Sequence, residues 1–229
     1  MENAVPGDIV DVLVYRKKKS MSQAAVTAYK KYSEDRIKAA CTHFGVCGGC
    51  KWQHLDYQAQ LKHKFQTVKD SIKRIAKLDD SIVLPIIGCD DNFHYRNKLE
   101  YSFSSKRWIT EQEASTDHVI EQNGALGFHK AGYFEKIVEI NQCLLQDDLT
   151  NKIRNFVRDF TIKHDYRYYD FRTHEGIMRN MIVRNTADGQ WMVIVSFSKK
   201  DKTKIIAMMD ALKNEFPQIA SLNYVVNTK

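Results

Sequence analysis

Cys41-Thr-His-Phe-Gly-Val-Cys47-Gly-Gly-Cys50 sets three thiols within one short stretch, spaced C-x5-C-x2-C, with glycines at 45, 48 and 49. Thiolates this close repel one another unless they share a cation, so the spacing predicts a metal ion or an iron–sulfur cluster. The glycines allow tight turning and bring backbone N–H groups towards sulfur. A fourth thiol has to come from farther along the chain. Cys89 and Cys143 are the two candidates, and spacing does not choose between them. Zinc is the alternative occupant, with His43 and His54 close by.

Outward from this stretch, residues 51–78 read as a helix. Leu61, Phe65, Val68, Ile72 and Ile75 form an apolar stripe, and Lys62, Lys64, Lys69, Lys73, Arg74 and Lys77 lie on the other faces. Such lysines make either a solvated face or a phosphate-tracking surface. Before the cysteines, Ile9–Tyr15 alternates as a strand after a Pro6-Gly7-Asp8 turn, and Gln23–Tyr32 reads as a second strand. Two strands make a hairpin or part of a barrel, since an oligonucleotide-binding barrel needs about five.

Beyond residue 83 the pattern becomes mixed. Leu99, Tyr101 and Phe103 mark a half-buried strand, and residues 110–123 a polar, exposed hairpin loop. Residues 125–129 and 134–140 read as two strands turned at Lys130-Ala131-Gly132. Helices are predicted over 147–164 and 201–215, the second capped by Asp201. Between them, residues 177–184 and 191–197 form a hairpin around Asp188-Gly189, a favoured two-residue turn pair. Residues 222–226 are a last strand. The order gives an α+β fold with mainly antiparallel pairing. It divides into a barrel piece over 1–40, a cysteine segment and helix over 41–80, and a central α+β domain over 81–229.

The 229 residues carry a net charge of +7, which suits a polyanionic partner. With 43% apolar residues and only 3 prolines, the composition excludes long disorder. No stretch approaches the length of a membrane span, and the N-terminus lacks the basic start and apolar core of a secretory signal. Five cysteines, clustered rather than paired, indicate metal ligation in a reducing, cytoplasmic setting.

The cysteine stretch, followed by Gln53-His54-Leu55, Tyr57, Gln60 and Lys64, resembles the iron–sulfur segment of RNA uracil-5-methyltransferases, and most of all the bacterial 23S rRNA (uracil-5-)-methyltransferase branch. Tyr95-Arg96-Asn97-Lys98, Leu126-Gly127-Phe128-His129-Lys130, residues 137–143, Arg179-Asn180 and Val183-Arg184 are similar to that family's central domain, in the same order. Val5-Pro6-Gly7-Asp8 and residues 33–37 are similar to the end of its TRAM domain, a small RNA-binding barrel of OB-like type. The resemblance implies that Cys41, Cys47, Cys50 and Cys143 hold a [4Fe–4S] cluster that is structural or aids RNA recognition, and that Cys89 is not a ligand.

It also implies S-adenosylmethionine-dependent methylation of uracil C5 in RNA, with 23S rRNA as partner and no obligate protein partner. That chemistry needs a doubly wound domain with a glycine-rich turn after its first strand. No G-x-G-x-x-G occurs here. The expectation is therefore an internal fragment, catalytically inactive alone, with the cofactor bound only by the full-length enzyme. RNA contacts are expected at Arg96, Lys98, Phe128, His129 and Lys130: phosphate for Arg96 and Lys98, base stacking for Tyr95 or Phe128, with a core role as the alternative for both aromatics. Two other classes fit less of the sequence: a zinc-stabilised RNA-binding module, and an iron–sulfur redox protein, whose usual acidity this chain lacks.

Overall fold

Alternation along Lys98–Ser104 builds the centre of the larger sheet. Leu99, Tyr101 and Phe103 are buried, while Lys98 and Glu100 are exposed. The computed structural model describes residues 3–19, 21–115, 124–133 and 135–228. They form two compact units, Met1–Gly45 with Cys50–Asn92, and Val46–Gly49 with Phe93–Lys229.

The second unit holds a six-stranded sheet. Its strands are β3 (Lys98–Ser104), β4 (Ala125–His129), β5 (Ile137–Glu139), β6 (Met178–Asn185), β7 (Trp191–Phe197) and β8 (Ile219–Val226). They lie in the order β5-β4-β3-β6-β7-β8. Every neighbouring pair is antiparallel except β7 and β8, which run parallel. A parallel neighbour needs a crossover, and helix α4 (Lys202–Glu215) supplies it. Register places Leu99 beside Val183 and Tyr101 beside Met181, so one face carries a continuous apolar layer. Ile153 and Val157 of helix α3 (Asp148–Lys163) and Ile205, Met208 and Leu212 of α4 are equally buried.

Both long helices of this unit start on aspartate caps. The Asp147 carboxylate accepts the Leu149 N–H, and that of Asp201 accepts the Lys204 N–H. Arg154 of α3 is buried, donates to the Leu126 carbonyl and pairs with Glu139, which also takes Arg158 at 3.0 Å. Burial, then the neighbouring Arg158, lowers the Arg154 guanidinium pKa to about 10. Gly127 in β4 admits no side chain, because a Cβ there would lie 2.0 Å from the Val138 carbonyl oxygen.

Two expectations change in this unit. The polar stretch begins with a short helix, α2 (Glu111–Ala114), closed by a capping box between Thr110 and Glu113; residues 116–123 of the expected loop lie outside the described residues. The β6–β7 connection is not a two-residue turn. Asn185 pairs with Trp191, leaving five residues between, closed by the Thr186 N–H on the Gln190 carbonyl and by Gly189 at φ 81°.

The first unit is built on polar contacts. Strands β1 (Ile9–Lys17) and β2 (Ser22–Lys31) form a two-stranded antiparallel sheet. The Asp8 carboxylate, its side chain 1% exposed, takes Arg36 at 2.6 Å and accepts the Val5 and Ser33 N–H groups. Helix α1 (Tyr57–Ser71) starts on Asp56, whose carboxylate accepts the Gln58 and Ala59 N–H groups. It ends in a π-turn over Ile72–Ala76, stopped by Lys77 at φ 57°. The expected apolar stripe is not a buried one: Ala59 is the buried residue of α1, Val68 is 49% exposed and Ile75 82%. Val5, Leu55 and Ala59 make this unit's small core.

Candidate nucleic-acid interface

The end of β4 gathers several residues singled out in the sequence. His129 closes the strand and its Nε2 lies 3.3 Å from the Ser102 hydroxyl of β3. Gly48 donates its N–H to the His129 carbonyl at 3.0 Å, and Cys47 pairs with Lys130 in an isolated antiparallel bridge. The approach needs glycine, since a Cβ on Gly48 would meet the His129 oxygen at 2.6 Å. The stretch Val46–Gly49 is thereby joined to the second unit by backbone contacts, and the Gly49 N–H points to the Cys47 sulfur at 3.4 Å.

The RNA-contact candidates divide. Lys98 is exposed on the sheet face opposite the core, 3.7 Å from Glu100, with His129 on the neighbouring strand. Arg96 is exposed, and its backbone N–H binds the Leu145 carbonyl. Phe128 faces the core, its ring stacked on fully buried Tyr101 with centroids 5.0 Å apart. The Phe128 side chain is half-buried, with one contact to the core through Tyr101. Tyr95, by contrast, is 58% exposed. Lys130 sets its ammonium 5.6 Å from the Trp108 ring centroid.

The cysteines are all thiols. Cys41 takes the Gln53 side-chain oxygen on its N–H, and exposed Cys89 has its N–H on the Tyr57 hydroxyl. Cys143 is buried, its backbone bound in both directions by the Asn151 amide. Cys41 and Cys50 fall in the first unit, Cys47 and Cys143 in the second. Among the described residues no three His, Cys, Asp or Glu side chains are placed to hold a metal ion. One buried group beside the cysteines is unsatisfied: the Tyr101 hydroxyl has no hydrogen-bond partner. Burial, reinforced by Cys143, raises its pKa well above the usual phenol value.

Sequence reasoning missed Trp108 and Tyr133. Their rings lie 5.2 Å apart at 49°, beside Lys130. No local signal announces them, because Trp108 is brought to the turn only by the contact of residues 107 and 108 with Ile137.

No protein-family model matches the chain. It is 41% identical over 228 residues to an uncharacterised RNA methyltransferase of Bacteroides thetaiotaomicron, covering 98% of this chain and 50% of that protein. A second RNA methyltransferase, from Porphyromonas gingivalis, is 41% identical over 99% of this chain and 50% of its own length. This chain is similar to one half of an RNA methyltransferase. It spans about half the length of the curated relatives it matches. Its fold is also that of part of a solved structure, the Pyrococcus abyssi tRNA (uracil-54, C5)-methyltransferase in complex with S-adenosyl-L-homocysteine. The TM-score is 0.63 at 20% identity, over 99% of this chain and 46% of that one. No helix among the described residues is long and apolar enough to cross a membrane.

Proposed function

We propose that this chain serves S-adenosylmethionine-dependent C5 methylation of uracil in RNA, and that its residues supply RNA recognition rather than methyl transfer. The observation that carries the reading is the 41% identity, along nearly the whole chain, to RNA methyltransferases twice its length. The net charge of +7 suits a phosphate backbone. Methyl transfer from a bound nucleoside cofactor calls for a doubly wound parallel sheet with a glycine-rich turn. The sheet described here has one parallel pair, and the sequence has no such turn. The uracil assignment draws on the resemblance of the cysteine stretch and on the fold of the archaeal tRNA enzyme; ribosomal RNA as substrate and a cytoplasmic setting draw on the sequence resemblance alone.

The test uses the chain with a 23S rRNA fragment and labelled S-adenosylmethionine. We expect binding that weakens steeply with salt and no transfer of label. Binding that is absent at low salt overturns the RNA reading, and label appearing in uracil overturns the division of labour. Replacing Arg96 and Lys98 together by Ala should weaken binding and flatten its salt dependence by about 0.7 for each phosphate no longer neutralised.

The same reading includes Cys41, Cys47, Cys50 and Cys143 as ligands of a [4Fe–4S] cluster, supported by the C-x5-C-x2-C spacing and the resemblance. Anaerobic purification with iron, sulfide and zinc analysis decides the matter. About four irons and four sulfides per chain fit the cluster, whereas one zinc without sulfide replaces it.

A further inference from the structure

The turn between β4 and β5 displays an aromatic surface that neither the sheet nor the cysteines require. Lys130 opens the turn, its N–H on the Lys136 carbonyl, and Tyr133 returns its own N–H to the Lys130 carbonyl. Gly132, at φ 79°, makes the bend and leaves open space around it. The segment after β3 runs along the outer edge of β5, where Arg107 bridges Ile137 and the Trp108 N–H binds the Ile137 carbonyl at 2.6 Å. This fixes Trp108 beneath the turn. Tyr133 lies against it, 5.2 Å between centroids, and is 52% exposed. The Lys130 ammonium sits over the same indole.

We propose that Tyr133, backed by Trp108 and flanked by Lys130, is a stacking shelf for an unpaired base of single-stranded RNA. The inference rests on the RNA reading above and deepens it. A tyrosine placed only to close a sheet edge would bury its ring, whereas this one presents more than half of its surface. Backbone hydrogen bonds tie Tyr133 to Lys130 and Trp108 to Ile137. Every base has a π-face, so an aromatic ring beside a cation accepts single strands without reading their sequence. A duplex hides those faces in its own stack and cannot use the shelf.

The experiment is a fluorescence-anisotropy titration of the chain with a labelled single-stranded oligouridylate and with a duplex of equal length. Tyr133→Ala should weaken single-strand binding about 5- to 150-fold, the effect of removing one base–aromatic stack. Tyr133→Phe should bind like the original. The salt slope should be the same in all three, because no charge changes. Since Tyr133 is exposed, thermal melts should coincide, which separates loss of the shelf from loss of fold. Unchanged single-strand affinity in Tyr133→Ala, an equal loss on the duplex, or a Tyr133→Phe variant as weak as the alanine overturns the shelf while leaving RNA binding in place. A parent chain that binds neither oligonucleotide overturns the RNA reading and the shelf with it.

Discussion

The two units are stabilised in different ways. The second buries whole side chains: Tyr101, Phe103, Met181 and Phe197 are fully enclosed. The first has a core of Val5, Leu55 and Ala59, and exposes Leu13, Tyr15 and Ile75 to at least 62%. Its definition comes from one carboxylate. Asp8 binds Arg36 and two backbone N–H groups, and Arg36 lies over Tyr29 and Tyr32 at 5.0 and 5.3 Å. Apolar burial is additive and tolerant of small losses, whereas a buried charge pair fails when either partner is removed.

That contrast ranks the effects of substitution. Phe103→Ala should cost the most, about 3–5 kcal/mol, because a fully buried aromatic leaves a cavity. Urea unfolding followed through the buried Trp191 indole measures it, and a loss below about 1 kcal/mol would mean that the sheet core is loosely packed. Arg36→Ala comes next, at about 3 kcal/mol. This is the low end for breaking a buried pair, because the guanidinium keeps 20% of its surface in solvent. Amide hydrogen exchange over β1 and β2 reports it. If protection there is unaltered, the Asp8 clamp is not what holds the hairpin.

Acid should act on the first unit through His54. Its ring is 8% exposed, packs on Phe44 at 4.9 Å, and has neither nitrogen hydrogen-bonded in ordinary geometry. Burial, then the Arg36 charge, lowers its pKa below 6.5. The folded state therefore keeps the ring neutral while the unfolded chain takes up a proton near the ordinary value. Stability is whole above about pH 6.5 and falls as pH drops from there towards the lowered folded pKa, by at most about 1.4 kcal/mol per pH unit. Hydrogen exchange of β1 and β2 at pH 7.5 and 5.5 should show this loss, and His54→Phe should remove it. A His54→Phe chain with the same acid sensitivity assigns the loss to another group.

What was legible in the sequence follows the same division. Alternation over Leu99, Tyr101 and Phe103 named a true core strand, and Asp147 and Asp201 begin the two long helices of the second unit, because capping and alternation are local properties. The α1 stripe misled. A period of 3.6 shows which residues share a face, not that anything covers it. The parallel partnership of β7 and β8 depends on a crossover that no short window contains. The cysteine spacing was likewise local, whereas gathering four thiols is a tertiary event. Trp108 and Tyr133 meet only because residue 107 bridges residue 137, so nothing in either neighbourhood announced the pair.

The smallest effect is the most discriminating. Leu13 lies in β1, is 62% exposed, and pairs with Ala25 across the hairpin. An exposed leucine removes little apolar area from water, so Leu13→Thr should change stability by less than about 0.5 kcal/mol, with threonine's strand preference offsetting part of the reduced burial. The same change at a covered position would cost several times more, from the missing burial and an unpaired hydroxyl. A measured cost above about 1.5 kcal/mol would therefore show that the hairpin's apolar face is covered in solution. The first unit would then have a hydrophobic core of its own, and the contrast with the second would narrow to one of size.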